Sequence, residues 1–224
     1  MMTQSAVKSV QNVRLVWVTP EAEQKIAYMA RVSNPANQNS NASATKLLKY
    51  LINNKHWSPF EMVNVCMEIE TTRDIARQIL RHRSFSFQEF SQRYAVSEGF
   101  IQDSQVRLQD EKNRQNSLYT DDLSLQYWWE GVQRRIIDET KFLYSSALDK
   151  GIAKEVARKL LPEGLTMSKM YMNGTLRSWL HYIDIRCDSA TQKEHRDVAE
   201  QCRDIIFAEF PSIGELYGKT DSSL

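Results

Sequence analysis

The segment RHRSFSFQEFSQRY, residues 81–94, carries the side chains most suited to chemistry in this sequence. Arg81, His82 and Arg83 are adjacent, and neighbours along a helix point about 100° apart, so their three heads cannot share one helix face. They must diverge, or stand where regular structure ends. Arginine grips phosphate and carboxylate through paired, charge-assisted hydrogen bonds. The segment therefore predicts a site for an anionic ligand.

The residues just before this segment must position it. Residues 71–74 read as a variant capping box, which predicts a short helix over 73–81. Ile75 and Ile79 fall on the side of that helix that faces the core. The opposite side is a basic edge, because cations recur there every four residues. The edge consists of Arg73, Arg77 and Arg81, with Gln78 beside them.

Composition bounds the class of protein. The chain has 224 residues and a formal net charge of +1, which argues against a nucleic-acid binder that works by bulk charge. No stretch approaches the roughly 20 apolar residues of a membrane span, and the first residues do not resemble a signal peptide. The cysteines are widely spaced and form no CxxC pair, which favours free thiols in a reducing cytosol, and hence a cytoplasmic protein. They are Cys66, Cys187 and Cys202.

Several familiar catalytic motifs are missing. The sequence has no GxGxxG, HExxH or GxSxG, and GELYGKT at 214–220 is one residue short of a P-loop. The histidines lack metal-ligand spacing, so we expect no metal site. They are His56, His82, His181 and His195.

Hydrophobic periodicity predicts strands and helices within one domain. Residues 13–18 and 63–70 have the character of strands, the second with one buried face. A long helix is expected from Asp121 or Asp122 to Gly151, and a last helix over 189–210. The apolar stripe of the long helix is typical of core packing or of a subunit contact. It contains Leu125, Trp128, Val132, Ile136, Leu143 and Ala147.

Three segments together resemble one known family. RHRSFSFQEFSQRY closely resembles the signature of the flavin-dependent thymidylate synthases, roughly RHRxxSxNExSxRY. HWSPFEM at 56–62 resembles the H-x-[ST]-P-F-E segment of that family. ARKLLP, with Arg158, and LRSWLHYIDIR at 176–186 resemble its C-terminal elements. The resemblance covers about residues 13–210.

The resemblance implies a fold and an activity. The fold would be α+β, a mainly antiparallel sheet packed with several helices, in a single domain over 1–224 with tails at 1–12 and 211–224. The family makes dTMP from dUMP, with methylenetetrahydrofolate as the one-carbon donor and NADPH as the reductant through FAD. Its members are homotetramers with active sites at subunit junctions, so the expected partners are these small molecules and copies of the chain, with no nucleic acid and no membrane.

The resemblance also implies roles for residues, carried over by position. Arg186 would be catalytic, by polarising the pyrimidine. Binding of dUMP would involve Gln78, Arg81, Glu89, Ser91, Gln92, Arg93, Arg158 and Arg186. Binding of FAD would involve His56, Ser58, Arg81, His82, Arg83, Ser86, Gln88, Glu89, Thr175, Arg177 and His181.

Two residues depart from the family pattern. Gln88 and Thr175 both stand where the family usually has Asn, which keeps hydrogen-bonding capacity but changes reach. No cysteine follows a proline, so the cysteine route of the better-known thymidylate synthases has no candidate nucleophile. Ser91 has no His-Asp pair near it in sequence and is expected to be a ligand for the nucleotide phosphate, not a nucleophile.

Two other functions remain open from the sequence. The arginine cluster would also suit a nucleotide- or RNA-binding module without catalysis. The acidic Glu89 inside the cluster and the near-zero net charge argue against that class. A flavoprotein of the same fold that acts on another substrate is the second alternative.

Overall fold

The computed structural model of this protein describes residues 10–38, 44–101 and 105–217. Its strands are β1 (Asn12–Val18), β2 (Asn64–Thr72), β3 (Ser86–Glu89), β4 (Arg107–Gln109), β5 (Ser117–Tyr119) and β6 (Met167–Thr175). Its helices are α1 (Ala22–Ala30), α2 (Pro35–Gln38), α3 (Ala44–Asn53), α4 (Arg73–Ile79), α5 (Leu123–Asp149), α6 (Lys154–Ala157), α7 (Leu176–Arg186), α8 (Lys193–Glu209) and α9 (Pro211–Tyr217). The mixture of helices and antiparallel strands confirms the predicted α+β class.

The main sheet has four antiparallel strands in the order β1-β2-β6-β3, and β4 and β5 form a separate hairpin. Strand β2 is central, and Val65, Met67 and Ile69 on its core side are fully buried. The prediction of a single buried face is wrong, because Glu68 on the other face is buried too. Ion pairs with Arg14 and Lys169 on the neighbouring strands compensate its charge.

Helices α1, α3, α7, α8 and α9 build one continuous core with the sheet. Trp179 and Tyr182 of α7 are fully buried there, together with Phe210 at the end of α8. The prediction of a C-terminal tail from 211 is corrected by the structure, because residues 211–217 form α9 and its Ile213 is fully buried. The apolar Ile213 belongs to the core, and the part of the predicted tail after 217 lies outside the described residues.

Helix α4 joins β2 to residues 81–94, which are called the basic segment here. The predicted capping box is wrong: Thr72 is the N-cap residue and its side chain makes no capping hydrogen bond. The backbone N–H of Arg73 donates instead to the carbonyl of Thr166 at 3.0 Å, so a neighbouring strand end supplies the cap. The helix ends at Ile79, two residues earlier than predicted, and the chain turns before β3 begins. The adjacent cations of the basic segment therefore occupy a turn.

Helix α5 begins and ends as predicted. The Asp122 carboxylate accepts a 3.0 Å hydrogen bond from the N–H of Leu125, and Gly151 follows the helix with φ of 78°. The interpretation of the apolar stripe as core is wrong for most of its length. Trp128 is 61% exposed, and Ile136 and Leu143 are more than 40% exposed. The other alternative, a contact between subunits, stays a prediction.

Candidate active site

A cavity of about 350 Å³ opens beside the N-terminal half of α7 and is called the α7 cavity here. Arg177 and His181 lie one helical turn apart on the face of α7 that lines it. Its walls combine apolar surface with hydroxyl, cationic and acidic groups. They are formed by Trp57, Glu61, Ser84, Arg177, Ser178, Leu180, His181 and Asp184. The cavity is therefore lined by two of the expected flavin residues, Arg177 and His181, and by Trp57 and Glu61 of the segment that follows α3.

Glu61 ties the two walls of the α7 cavity together. Its carboxylate accepts a 2.7 Å hydrogen bond from the Thr175 hydroxyl and forms a 2.7 Å ion pair with Arg177. Burial acts to raise the pKa of Glu61, but the hydrogen bonds from Thr175 and Arg177 outweigh it and hold the pKa below its usual value. Thr175 also caps α7, because its hydroxyl accepts a hydrogen bond from the N–H of Ser178. Glu61 lies within HWSPFEM, but the resemblance of that segment to the family implied no role for it.

His56 and Ser58 flank Trp57 at the edge of the same cavity. Both are exposed, and the ring of His56 packs edge-on against Tyr50 with the ring centroids 6.0 Å apart. Ser58 begins a single 3-10 turn, Ser58–Met62, in which Pro59 enforces the bend. That turn buries Phe60 completely and so fixes Glu61 next to α7.

Arg186, at the last residue of α7, contacts the basic segment directly. Its Nε donates a 2.9 Å hydrogen bond to Nε2 of His82. Burial, together with the neighbouring charges of Arg186, His181 and Arg81, lowers the pKa of His82 to about 4. His82 is therefore neutral at ordinary pH. Arg81 and Arg83 on either side of it are exposed and make no ion pair within the described ranges.

Two of the three arginines on the basic edge of α4 are already paired with acidic side chains, which the sequence does not indicate. Arg73 forms a 3.2 Å ion pair with Glu89, and Arg77 forms a 2.6 Å ion pair with Glu163. Gln78 donates a 2.7 Å hydrogen bond to Gln192, which comes just before α8. Sequence reasoning missed Gln192, because no spacing links residues 114 positions apart.

Strand β3 carries expected ligand residues on both of its faces. Ser86 and Gln88 are exposed and point away from Phe87, which packs on the core. They do not line the α7 cavity. Glu89, at the end of β3, accepts a 2.7 Å hydrogen bond from the Ser168 hydroxyl in addition to its ion pair with Arg73.

The residues after β3 form a second cluster of polar groups. Arg93 pairs with the Glu155 carboxylate at 3.4 Å, and Nε of Arg158 donates to the Glu155 backbone carbonyl at 3.3 Å. The hydroxyl of Ser91 accepts a long 3.4 Å hydrogen bond from the N–H of Arg93. Gln92 is 5% exposed, and its Nε2 has no hydrogen-bond partner in the part of the chain described. The fold thus brings Arg93 and Arg158 together at Glu155, with Ser91 and Gln92 directly before Arg93 in the chain, and their binding of a phosphate stays a prediction.

Comparison with known proteins defines the class to which this fold and site belong. The family described as thymidylate synthase complementing protein matches residues 14–212. The chain is 52% identical over 188 residues to the flavin-dependent thymidylate synthase of Synechocystis, which covers 84% of this chain and 86% of the relative. It is also 52% identical over 194 residues to the "Probable flavin-dependent thymidylate synthase" of Paramecium bursaria Chlorella virus 1. That match covers 87% of this chain and 89% of the relative. The chain belongs to the flavin-dependent thymidylate synthase family and is an enzyme of this type.

Solved structures agree with that assignment. The UMP/dUMP methylase PolB from Streptomyces cacaoi with bound 5-Br dUMP has a TM-score of 0.81 at 27% identity, over 95% of this chain and 96% of that chain. The same methylase with bound 5-Br UMP has a TM-score of 0.83 at 26% identity, over 95% of each chain. The fold and the family are thus established by independent comparisons.

Two further kinds of feature are absent from the described residues. No helix there is both long and apolar enough to span a membrane. No group of three or more His, Cys, Asp or Glu residues in those ranges is arranged to hold a metal ion.

Proposed function

We propose that this protein converts dUMP to dTMP, with methylenetetrahydrofolate as the one-carbon donor and NADPH as the reductant through FAD. The observation that carries the proposal is the position of Arg186. It is held by His82 of the basic segment, and both residues match the family motifs. A fixed cation next to the predicted nucleotide and flavin residues is suited to stabilise charge that develops on a pyrimidine ring.

The residues around the α7 cavity fit a flavin. Trp57 and Leu180 offer flat apolar surface, while Arg177, His181 and Ser84 offer hydrogen-bond donors. A space of about 350 Å³ accepts a ring system but not a whole dinucleotide. The phosphates of FAD would then lie outside it, where exposed Arg81 and Arg83 supply positive charge.

FAD would supply the hydride transfer that no protein side chain can perform. The chain's own residues bind the cofactor, orient it and set the electrostatic field around it. His82 contributes a neutral ring to that field, and Arg81, Arg83 and Arg177 contribute positive charge. Positive charge near a reduced flavin stabilises it, because the reduced ring carries negative charge.

The cluster after β3 suits the phosphate of dUMP. Arg93 pairs with the Glu155 carboxylate and Arg158 donates to the Glu155 backbone carbonyl, and the Arg93–Glu155 pair is more than half exposed on both sides. Exposed pairs of this kind are worth only about 0–1 kcal/mol, so a dianionic phosphate can displace Glu155 at low cost. The unpartnered Nε2 of buried Gln92 is a further donor that a ligand would satisfy.

The state of the cysteines supports a route without a cysteine nucleophile. Cys202 is fully buried and Cys66 nearly so, and burial raises the pKa of both thiols. Cys187 is half-buried, and burial raises its pKa to about 11. Since the thiolate is the nucleophile, all three are poorly activated at neutral pH. Activation of the uracil ring is therefore assigned to Arg186.

The exposed face of α5 supports assembly of copies of this chain into a homotetramer. Tyr127, Trp128 and Phe142 are each more than 60% exposed, which is costly for a surface that meets only water. A cavity of about 650 Å³ between α5 and the β4–β5 hairpin is also mainly apolar. The outward orientation of Ser86 and Gln88 fits active sites that are completed at subunit junctions.

Colour and isotope release test the function together. The purified protein should show a flavin spectrum and should release tritium from dUMP labelled at C5 when methylenetetrahydrofolate and NADPH are supplied. A colourless protein that binds RNA with a steep salt dependence would instead favour a nucleic-acid-binding module. A yellow protein that forms no dTMP would favour a flavoenzyme with another substrate.

A further inference from the structure

Behind His82, two buried polar residues have no role in the function proposed above. Tyr182 of α7 is fully buried and His195 of α8 is 1% exposed. The Tyr182 hydroxyl and Nε2 of His195 lie 3.1 Å apart. Burying such polar groups carries a cost that an aliphatic pair at the same α7–α8 contact would avoid. The site next to them offers a reason for their presence.

The ring of Tyr182 packs against the ring of His82. The two ring centroids lie 4.9 Å apart and the planes meet at 83°, which is an edge-to-face contact. The ring of His195 completes the stack, 6.1 Å from His82 at 81° and 5.8 Å from Tyr182. The orientation of His82 is therefore set by the core and not by solvent.

The hydrogen bond from Arg186 determines where the proton of His82 lies. Guanidinium N–H groups can only donate, so Nε2 of His82 must offer its lone pair. In neutral imidazole the proton then resides on Nδ1. The low pKa of His82, caused by burial and by the charges of Arg186, His181 and Arg81, keeps this neutral form present. A protonated ring would lose the acceptor that holds Arg186.

We infer that Tyr182 and His195 are positioning residues for the reaction: they hold the His82 ring so that its Nε2 fixes the guanidinium of Arg186. The inference rests on the proposed role of Arg186 at the uracil ring. Nε of Arg186 is occupied by His82, so its two terminal nitrogens are the groups left to face a ligand. A tilt of the His82 ring would move those nitrogens, and misplacement of about 1 Å can cost on the order of 100-fold in rate.

A double-mutant cycle separates positioning from simple stability. Tyr182→Leu removes the edge-to-face contact, and we expect kcat to fall about ten-fold while the KM for dUMP changes little. In the Arg186→Ala background the same substitution should have almost no further effect, because the group that it positions is gone. Tyr182→Phe keeps the ring against His82 and should recover most of the lost kcat.

Two controls keep the outcome interpretable. Ile206→Val alters an equally buried residue on α8 outside the stack, and it should leave kcat unchanged. Nitrogen-15 NMR of histidine-labelled, ligand-free protein should show His82 protonated on Nδ1. In Arg186→Ala the signal of Nε2 should change, because Nε2 no longer accepts the hydrogen bond from Arg186. This readout needs no turnover, so it remains valid even if the proposed function fails.

Two results would overturn the inference. One is a protonated Nε2 on His82 in the ligand-free protein at neutral pH. The other is a loss of kcat from Tyr182→Leu that is as large in the Arg186→Ala background as in the wild type. Either result would show that Tyr182 and His195 only pack in the core and do not position Arg186 through His82.

Discussion

Glu61 and Arg177 are 116 residues apart in the sequence, and their side chains meet in a 2.7 Å ion pair at the α7 cavity. The pair joins the two family segments that the sequence analysis identified separately, HWSPFEM and LRSWLHYIDIR. The carboxylate also binds the Thr175 hydroxyl, which caps α7. One acid therefore orients a predicted flavin ligand and stabilises the start of the helix that carries it.

Glu61→Ala is expected to weaken flavin binding. Arg177 is about half exposed, so loss of the pair should cost about 1 kcal/mol, which is roughly a five-fold rise in the flavin dissociation constant. Glu61→Gln keeps an acceptor for Thr175 and should lose less. Fluorescence titration of the apoprotein with FAD measures both variants, and equal affinities of Glu61→Ala and wild type would contradict the role given to Glu61.

Stability should fall as the pH is lowered from about 6.5 towards 4. Burial, with a contribution from the charge of Arg186, lowers the pKa of His82 to about 4 and that of His195 to about 3, whereas unfolded histidine titrates near 6.5. Between these values the unfolded chain binds more protons than the folded one, so protons favour unfolding. One pKa unit corresponds to 1.36 kcal/mol, so the total loss should reach several kcal/mol.

Urea unfolding at pH 7.0 and 5.0 measures this loss. His195→Gln removes one of the two depressed groups, and it should make the free energy of unfolding less dependent on pH. An unfolding free energy that is the same at both pH values would show that these rings are not held neutral by the fold.

Gly174→Ala should destabilise the protein and disturb the basic segment. A Cβ at Gly174 would lie 2.4 Å from Cδ1 of Phe85, and that ring is fixed edge-on against Trp179 at 4.8 Å. Overpacking of this kind typically costs about 1–3 kcal/mol. Gly131→Ala is the matched control, because its Cβ would meet nothing within 4 Å and alanine favours the helix by about 1 kcal/mol. Thermal unfolding should therefore shift in opposite directions for the two variants.

Modification of cysteine should leave turnover intact. The thiol of Cys187 has a pKa of about 11 and those of Cys66 and Cys202 are raised by burial, so little thiolate forms at pH 7.5. We expect a Cys187→Ser variant, and wild type treated briefly with iodoacetamide, to keep most dTMP formation. Inactivation that dUMP protects against would point to a cysteine at the site.

The sequence was most informative where chemistry is local. Residues 81–94 and the α7 segment could be assigned from residue types in register with a family pattern, and the family is confirmed. Strand β2 and helix α5 were predicted from periodicity and end signals, since these act over a few residues. The individual roles of the site residues remain predictions.

The same reasoning could not predict contacts between residues that are far apart in the sequence. The Arg73–Glu89 pair, the Gln78–Gln192 hydrogen bond and the Tyr182–His195 contact depend on how helices and strands pack. No local rule specifies which acid will neutralise an arginine on a basic edge. The cap of α4 was misassigned for a related reason, because a backbone carbonyl from another segment replaced the side chain that the pattern offered.

The central claim is that Arg186 activates the uracil ring in place of a cysteine. Its most direct test is tritium release from dUMP labelled at C5, measured for wild type and Arg186→Ala with methylenetetrahydrofolate and NADPH present and with FAD occupancy checked by absorbance. Loss of one charge-assisted contact, about 1.5–3 kcal/mol, predicts a fall of roughly 10- to 150-fold with FAD still bound. Release at a near-normal rate from the flavin-loaded variant would contradict the claim.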